Sequence, residues 1–390
     1  MLYIKNAEIY TPHKVIKKGN ILIGGSRISK ILDRPLPKLP PGTKILDVKG
    51  KIACPGFIDV HLQGAGGYDF LDATPLAVWE ISRTLARFGT TSYLATTVFK
   101  NGKNPHIDVI VRSQELGVGS QGAQLLGIHL EGPFVNPKKK GMIRLNGIKD
   151  CSLTSLNKIL KITKGKLRMM TIAPELNGAM EIIKRLKKKK IIASFGHSDA
   201  TVEETKKGIE AGVTHATHIF NAMRQFHHRE PGPLGAIFLD DRVSVQLISD
   251  GVHIHPEVIK LIVKLKGVEN IVLITDSMSS LGLPDGKYVY DGWEYESRNG
   301  ACRYKDGTLI GTSLPLNRMV QQMVKFGGVN LTKALQMATI NPAKVLGVDT
   351  RKGSIEEGKD ADLVIMDKEC NIFMTLISGN IVYSKSPLGR

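Results

Sequence analysis

Leu125-Leu126-Gly127-Ile128-His129-Leu130-Glu131-Gly132-Pro133 is an apolar run that turns polar at its end, with His129 and Glu131 just ahead of a Gly-Pro stop. In a strand, residues two apart project from the same face, so His129 and Glu131 would point together. A carboxylate at the end of a greasy strand is costly to bury unless a cation, such as a metal ion, compensates it. Taken alone, the stretch reads equally well as a hydrophobic strand whose polar tip reaches solvent. The sequence on either side decides between the two.

From about residue 54 the chain repeats this texture, with short apolar runs at 57–61, 93–98, 125–131, 169–173, 191–195, 213–218, 243–248 and 271–275. Helix-like segments lie between them. Residues 79–88, closed by Gly89, and residues 202–210, closed by Gly212, place glycine where a helix C-cap belongs. Eight strands alternating with helices predict an α/β fold, a (β/α)₈ TIM-type barrel over residues 54–350. An open doubly wound sheet competes with it, but no Gly-rich phosphate loop follows the first run.

Both chain ends have a different texture. Residues 1–53 read as short strands at 2–4, 7–10, 20–23 and 27–31, followed by Pro35, Pro37, Pro40 and Pro41. The tail has strand-like runs at 361–366, 372–374 and 380–383. Neither end can build a core alone, so 1–53 plus 351–390 are expected to join into one small β-sandwich flanking the barrel. Asp-Gly pairs at 285–286, 291–292 and 306–307 suggest hairpins within residues 282–311, and a helix is expected over 331–346.

Composition narrows the function. The 390 residues are 42% hydrophobic with a mean hydropathy of -0.06, an ordinary globule with room for one large domain and a small one. No apolar run approaches a membrane span, and residues 1–6 lack the layout of a signal peptide. Cys54, Cys151, Cys302 and Cys370 are scattered without a CxxC pair, which excludes a thiolate zinc cluster of the usual spacing and argues against a disulfide scaffold. A cytoplasmic protein is expected. The net charge of +18 permits nucleic-acid, membrane-surface or anionic small-molecule partners. No helix-turn-helix, zinc-finger or RNP-like signature is present, and the run Lys187-Lys188-Lys189-Lys190 reads as a solvated helix end. Neither nucleic acid nor membrane is expected as a partner.

Polar residues gather at the ends of the runs: His61 ends the first, Glu131 the third, His197 follows the fifth, His218 ends the sixth and Asp276 the eighth. Each has a bland alternative. His197 suits a turn, His218 suits a satisfied interior histidine, and Asp276 suits a helix N-cap. Five at the same end of a barrel point to one site, because barrel active sites collect at the C-terminal mouth. Histidines and carboxylates converging there have the composition of a hydrolytic zinc-type centre.

The motifs Pro55-Gly56-Phe57-Ile58-Asp59-Val60-His61, His129-Leu130-Glu131-Gly132-Pro133, Gly196-His197-Ser198, Thr217-His218-Ile219-Phe220-Asn221-Ala222-Met223, Arg229-Glu230-Pro231-Gly232, Asp250-Gly251-Val252-His253 and Thr275-Asp276 carry a resemblance that covers nearly the whole chain. The sequence resembles the N-acetylglucosamine-6-phosphate deacetylases of the amidohydrolase superfamily. That resemblance implies hydrolysis of the acetamide of N-acetylglucosamine 6-phosphate to glucosamine 6-phosphate and acetate. It implies Glu131, His197 and His218 as ligands of one divalent ion, zinc first, with iron, manganese or cobalt as alternatives. Asp276 would be the proton shuttle. Asn221, the backbone of Ala222, Arg229 and His253 would surround the sugar phosphate, with Arg229 reaching across a homodimer interface. His215, His227, His228 and His255 match no ligand position.

Two departures stand out. Two-metal members carry His-x-His where this chain has His61-Leu62-Gln63. Gln63 is a weak ligand for a transition metal, so His61 and Gln63 are expected as second-metal or auxiliary groups around a single tight ion. The family's histidine that helps polarise the substrate carbonyl is replaced in Lys140-Gly141-Met142-Ile143 by Ile143. Neither Met142 nor Ile143 donates a hydrogen bond; losing such a donor costs on the order of 10²–10³ in rate, and Arg144 is the nearest replacement. Alternatives therefore stay open: a deacetylase of another N-acetylhexosamine 6-phosphate, a cyclic-amide amidohydrolase, or a weakly active paralogue that binds a sugar phosphate.

Overall fold

The computed structural model describes residues 1–11, 14–119 and 121–385; residues 12, 13, 120 and 386–390, which belong to the two expected domain ranges, lie outside the described residues. The eight apolar runs form eight parallel strands paired in chain order: Phe57–Leu62, Thr90–Thr97, Gln124–Phe134, Leu167–Ile172, Ile192–Phe195, Val213–Ala216, Ser244–Leu247 and Ile271–Leu273. Parallel neighbours need a crossover, and helices supply it. They are Pro75–Arg87, Pro105–Glu115, Leu153–Thr163, Ala179–Lys188, Val202–Ala211, Gly232–Leu239 and Pro256–Lys266, with Leu316–Gly327 after the eighth strand. Ile271–Leu273 is apolar and buried at every position, which is why such strands read as unbroken apolar runs. The strand order follows the chain without the reversal of a doubly wound sheet. Beyond their ends the two outer strands meet: Leu62 and Ser277 form a parallel bridge, and Asp276 N donates to His61 O at 2.9 Å.

Local chemistry sets the helix limits. Thr74 accepts from Ala77 N at the start of Pro75–Arg87, and Gly89 follows it at φ 84°. Thr201 and Glu204 form a capping box ahead of Val202–Ala211, which Gly212 ends. The helix expected over 331–346 is instead two, Leu331–Ala338 and Ile340–Leu346, broken at Thr339. Pro342 has no N–H to return to the carbonyl of Ala338, so a continuous helix would leave that acceptor empty.

The chain ends share one mixed eight-stranded sheet. Leu2–Tyr10 pairs with Val15–Gly24 on one edge, and on the other with Lys44–Asp47 and then Ile52–Pro55. Ile52–Pro55 pairs in turn with Leu363–Met366, joining the two ends. Side chains alternate across these central strands. Ile52, Cys54, Val364 and Met366 belong to the core of the parallel sheet, whereas Ala53, Leu363 and Ile365 belong to a second core with Ile4, Ile21 and Ile23. The boundary expected after residue 53 thus falls inside a strand that serves both cores.

Between the eighth strand and Leu316–Gly327 lies an antiparallel sheet of Gly286–Tyr290, Trp293–Arg298, Ala301–Tyr304 and Leu309–Thr312. Two of its three turns are Asp291-Gly292 (φ 49° and 77°) and Asn299-Gly300 (φ 52° and 85°), the double positive φ of a tight hairpin, and the third holds Asp306-Gly307, with Gly307 at φ 85°. Asp285-Gly286 is not such a turn; Asp285 accepts from Asn299 N while Gly286 opens the first strand. Thr312 N donates to Asp276 O at 3.0 Å, so this sheet returns to the mouth of the parallel strands.

Candidate metal centre

Glu131 lies in the third parallel strand and His61 in the first, while His197, His218 and Asp276 follow the fifth, sixth and eighth. The last three have φ of 49°, 25° and 48°. Such angles break a β-ladder, so the sixth and eighth strands stop short of His218 and Asp276 instead of ending on them. Left-handed backbone at a non-glycine residue costs roughly 1–3 kcal/mol and is held only where the surroundings enforce it. Here it turns three side chains into the mouth.

Three atoms crowd there. Glu131 Oε1 is 3.0 Å from His197 Nε2 and 3.0 Å from His218 Nε2, and the two nitrogens are 3.1 Å apart. His197 Nδ1 donates to Lys139 O at 2.8 Å, and His61 Nδ1 donates to Gln246 Oε1 at 3.0 Å. A neutral ring that donates through Nδ1 carries its lone pair on Nε2. His197, and His61 when neutral, therefore turn lone pairs toward a carboxylate oxygen, an arrangement that repels itself unless a cation sits among them. Zinc ligands stand about 2.0–2.2 Å from the ion, hence about 3.3 Å from one another around a tetrahedral centre, and the observed triangle fits one divalent ion. His61 Nε2, 3.5 Å from Glu131 Oε1 and 3.3 Å from Asp276 Oδ1, stands beside it. His61, Glu131 and His218 also offer ligand atoms within 4.8 Å of one another.

Electrostatics agree with that fit. Burial lowers the His61 pKa, but Asp276 and Glu131 outweigh it and raise the value to about 9. Burial raises that of Glu131, yet His61, His197 and His218 hold it well below the carboxylate range. A field that recruits a proton to His61 recruits a metal cation equally. His61 Nε2 and Asp276 Oδ1 are buried without a hydrogen-bond partner among the described residues.

Gln63 does not face a second ion. Its Nε2 donates to Glu131 Oε2 at 2.7 Å and its Oε1 accepts from Tyr290 at 3.2 Å. His129, which heads the same strand end as Glu131, is satisfied by Val60 O and Thr171 Oγ1 at 3.0 and 2.9 Å, and burial depresses its pKa well below the imidazole range. Asn221 Nδ2 donates to His218 O at 3.3 Å, and Ala222 is held at φ 52° with its carbonyl bonded to Ser198 N. A Cβ on Gly141 would lie 3.1 Å from His197 Cε1, so the loop carrying Ile143 passes directly over the centre. His253 is oriented by Asp250, with 2.6 Å between Nδ1 and Oδ2. Arg229 is not gathered in: it lies on the exposed stretch 225–230, and among the described residues no acid pairs with it.

Ile143 is buried with Val98 and Val135 and supplies no donor. Arg144 does not replace it, because its guanidinium pairs with Asp291 at 2.8 Å and stacks on Trp293. Sequence reasoning also missed the supports of the site: Gln246 behind His61, the Lys139 carbonyl behind His197, and Asp250 behind His253. It missed the buried Asp59, which accepts from Thr275 Oγ1 at 2.6 Å and from His61 N at 3.2 Å. A polar residue inside an apolar run was the available signal for Asp59 and Gln246; a backbone carbonyl leaves none.

Residues 52–382 match the amidohydrolase family. The chain belongs to that family. This amidohydrolase is 38% identical over 386 residues to an N-acetylglucosamine-6-phosphate deacetylase of Bacillus subtilis, spanning 98% of this chain and 97% of the relative. It is 34% identical to an N-acetylgalactosamine-6-phosphate deacetylase of Escherichia coli O157:H7, over 88% of this chain and 90% of that one. Among solved structures, a mutant N-acetyl-D-glucosamine-6-phosphate deacetylase of Mycobacterium smegmatis in complex with N-acetyl-D-glucosamine-6-phosphate superposes with a TM-score of 0.90 at 29% identity, covering 98% of this amidohydrolase and 99% of that chain.

Proposed function

We propose that this amidohydrolase removes the acetyl group of N-acetylglucosamine 6-phosphate, releasing glucosamine 6-phosphate and acetate. The observation that carries the reading is the convergence of Glu131 Oε1, His197 Nε2 and His218 Nε2 within 3.0–3.1 Å, beside Asp276, in a chain 38% identical to a named deacetylase. Glu131, His197 and His218 would hold one divalent ion, zinc first, and Gln63 and His61 would remain auxiliary. When bound, such an ion supplies a Lewis acid that polarises the amide carbonyl and acidifies water. Asp276 would take the proton of the attacking water and return it to the departing amine, a poor leaving group until protonated. Its backbone is fixed on both sides, by His61 O and Thr312 N, which presets the carboxylate. Asn221, the Ala222 backbone and His253 would orient the sugar, and Arg229 of a second subunit would hold the phosphate through charge-assisted bonds.

The same reading takes the parallel sheet as a closed TIM-type barrel, supported by the Leu62–Ser277 bridge, with residues 1–53 plus 351–390 as a small β-sandwich domain. It also takes the protein as a cytoplasmic homodimer without nucleic-acid or membrane partners. A second substrate, N-acetylgalactosamine 6-phosphate, is favoured by the 34% identical relative named as a deacetylase of that sugar. Acetate release from gluco, galacto and manno N-acetylhexosamines, each with and without 6-phosphate, tests the reading. We expect release from a phosphorylated sugar only. Release from none, with divalent metal bound, overturns it.

A further inference from the structure

Tyr290 lies on the antiparallel sheet, buried against Met278, Tyr295, Cys302 and Ile310, and is outside every motif that marks the site. A buried phenol usually finds a hydrogen-bond partner. Here the partner is Gln63 Oε1 at 3.2 Å, and Gln63 Nε2 donates to Glu131 Oε2 at 2.7 Å. The amide has one admissible orientation. Reversed, its oxygen would face the Glu131 carboxylate at 2.7 Å with no hydrogen between, and its NH₂ would face the hydroxyl. Donation therefore runs one way, from Tyr290 to Gln63 to Glu131, and the three residues are almost fully buried. Only Glu131 Oε1 is left for His197 and His218.

We propose that Tyr290 is a positioning residue of the metal centre, fixing the Gln63 amide so that it supports Glu131 and cannot turn its oxygen toward a second ion. The proposal rests on the reading of Glu131, His197 and His218 as metal ligands. Glu131 is thereby presented through one oxygen, with its charge shared into the amide, and the centre is held to one ion. Partners that hydrogen-bond a metal ligand commonly change affinity by 10–100-fold when removed. The antiparallel sheet, which no sequence motif ties to catalysis, thus reaches the metal through a single hydroxyl.

The test uses the full-length protein stripped of metal and titrated with Zn²⁺ against a competing chelator, with Co²⁺ as a spectroscopic probe. Wild type should bind one tight equivalent. Tyr290→Phe removes only the hydroxyl; it should weaken Zn²⁺ about tenfold and change the Co²⁺ visible spectrum while the metal-free melting temperature stays put. Gln63→Met should weaken Zn²⁺ at least as much. The double variant should match Gln63→Met, because Tyr290 acts through Gln63 alone. Unchanged affinity and spectrum in Tyr290→Phe, or losses that add in the double variant, overturn the relay. Should Tyr290→Phe fail to fold, Gln63→Met decides alone: unaltered affinity overturns the proposal and weakened affinity supports it. Wild type that binds no divalent ion instead overturns the metal reading beneath it.

Discussion

Asp276 and Glu131 are the two carboxylates of the centre, and their surroundings separate their tasks. Glu131 is enclosed by three histidines and the Gln63 amide, which favour a permanently ionised carboxylate. Asp276 meets only His61, at 3.3 Å, and its Oδ1 has no hydrogen-bond partner among the described residues. On the proposed function it is the carboxylate that shuttles the proton. Asp276→Asn should keep the bound metal and lower kcat by at least about 10²–10⁴, the usual worth of positioned acid–base catalysis. Metal analysis and kcat on the same preparation check it; loss of metal would make Asp276 a ligand. The convergence of Glu131, His197, His218, Asp276 and His61 was legible because polar residues recur at the ends of the apolar runs. Their supports were not, since Gln246 and Tyr290 act by orientation, which no spacing encodes. Arg144 shows the converse: adjacency to Ile143 suggested a replacement donor, but its guanidinium is committed to Asp291 and Trp293.

At the scale of elements, the parallel strands were readable because burial on both faces leaves an unbroken apolar run. Their limits were less so. His218 and Asp276 extend the apolar or polar pattern but adopt φ of 25° and 48°, and the pattern does not report the angle. The antiparallel sheet was announced only by its Asp-Gly pairs, and the Asn299-Gly300 turn was overlooked. One element joint carries a pH signature. His106, at the start of Pro105–Glu115, donates through Nε2 to Val98 O at 3.0 Å, just past the second parallel strand. Burial pushes its pKa down from 6.5 to about 4. A histidine neutral when folded leaves the unfolded chain holding more protons between those values, so its contribution is full above pH 6.5 and lost as pH falls toward 4. At about 1.4 kcal/mol per unit, the loss approaches 3 kcal/mol. Urea midpoints of wild type and His106→Gln should converge as pH drops from 7 to 4. A constant gap would mean that His106 binds its proton equally in the folded and unfolded chain, with no depressed pKa.

At the scale of the whole molecule, the chain ends are tied by buried charge as well as by shared strands. Lys352 Nζ lies 2.5 Å from Asp362 and 3.4 Å from Asp360, and Asp360 also pairs with Arg27 at 2.7 Å. These contacts link the N-terminal strands to the segment leading into Leu363–Met366, which pairs with Ile52–Pro55 just before the first parallel strand. The small sheet therefore braces the start of the first parallel strand, which bears His61. Arg229 is exposed with Phe226, which is 56% exposed, on the same stretch.

An exposed arginine beside an exposed phenylalanine suits a second copy of the chain better than open solvent. The sequence resemblance implies that Arg229 reaches across a homodimer interface, and the proposed function rests the phosphate on it there. The surface charge of +18 is a rival source of any anion preference. The two differ in range: a contact pair survives salt, whereas steering by a basic exterior fades as the Debye length falls to about 3 Å at 1 M. Arg229→Ala should raise KM for the 6-phosphate sugar by an amount that 1 M salt does not erase, and leave the unphosphorylated sugar unchanged. Truncating a buried charge-assisted partner costs roughly 2–5 kcal/mol. Mixing Arg229→Ala with Asp276→Asn chains, after dissociation and reassociation, supplies the geometric test. In a two-fold dimer half the particles would be mixed, each with one site holding both good residues, so activity should return to about a quarter of wild type. Failure of the mixture to regain activity, with each parent dimeric, would place Arg229 in the site of its own chain. An equal loss for both sugars would mean that it does not read phosphate.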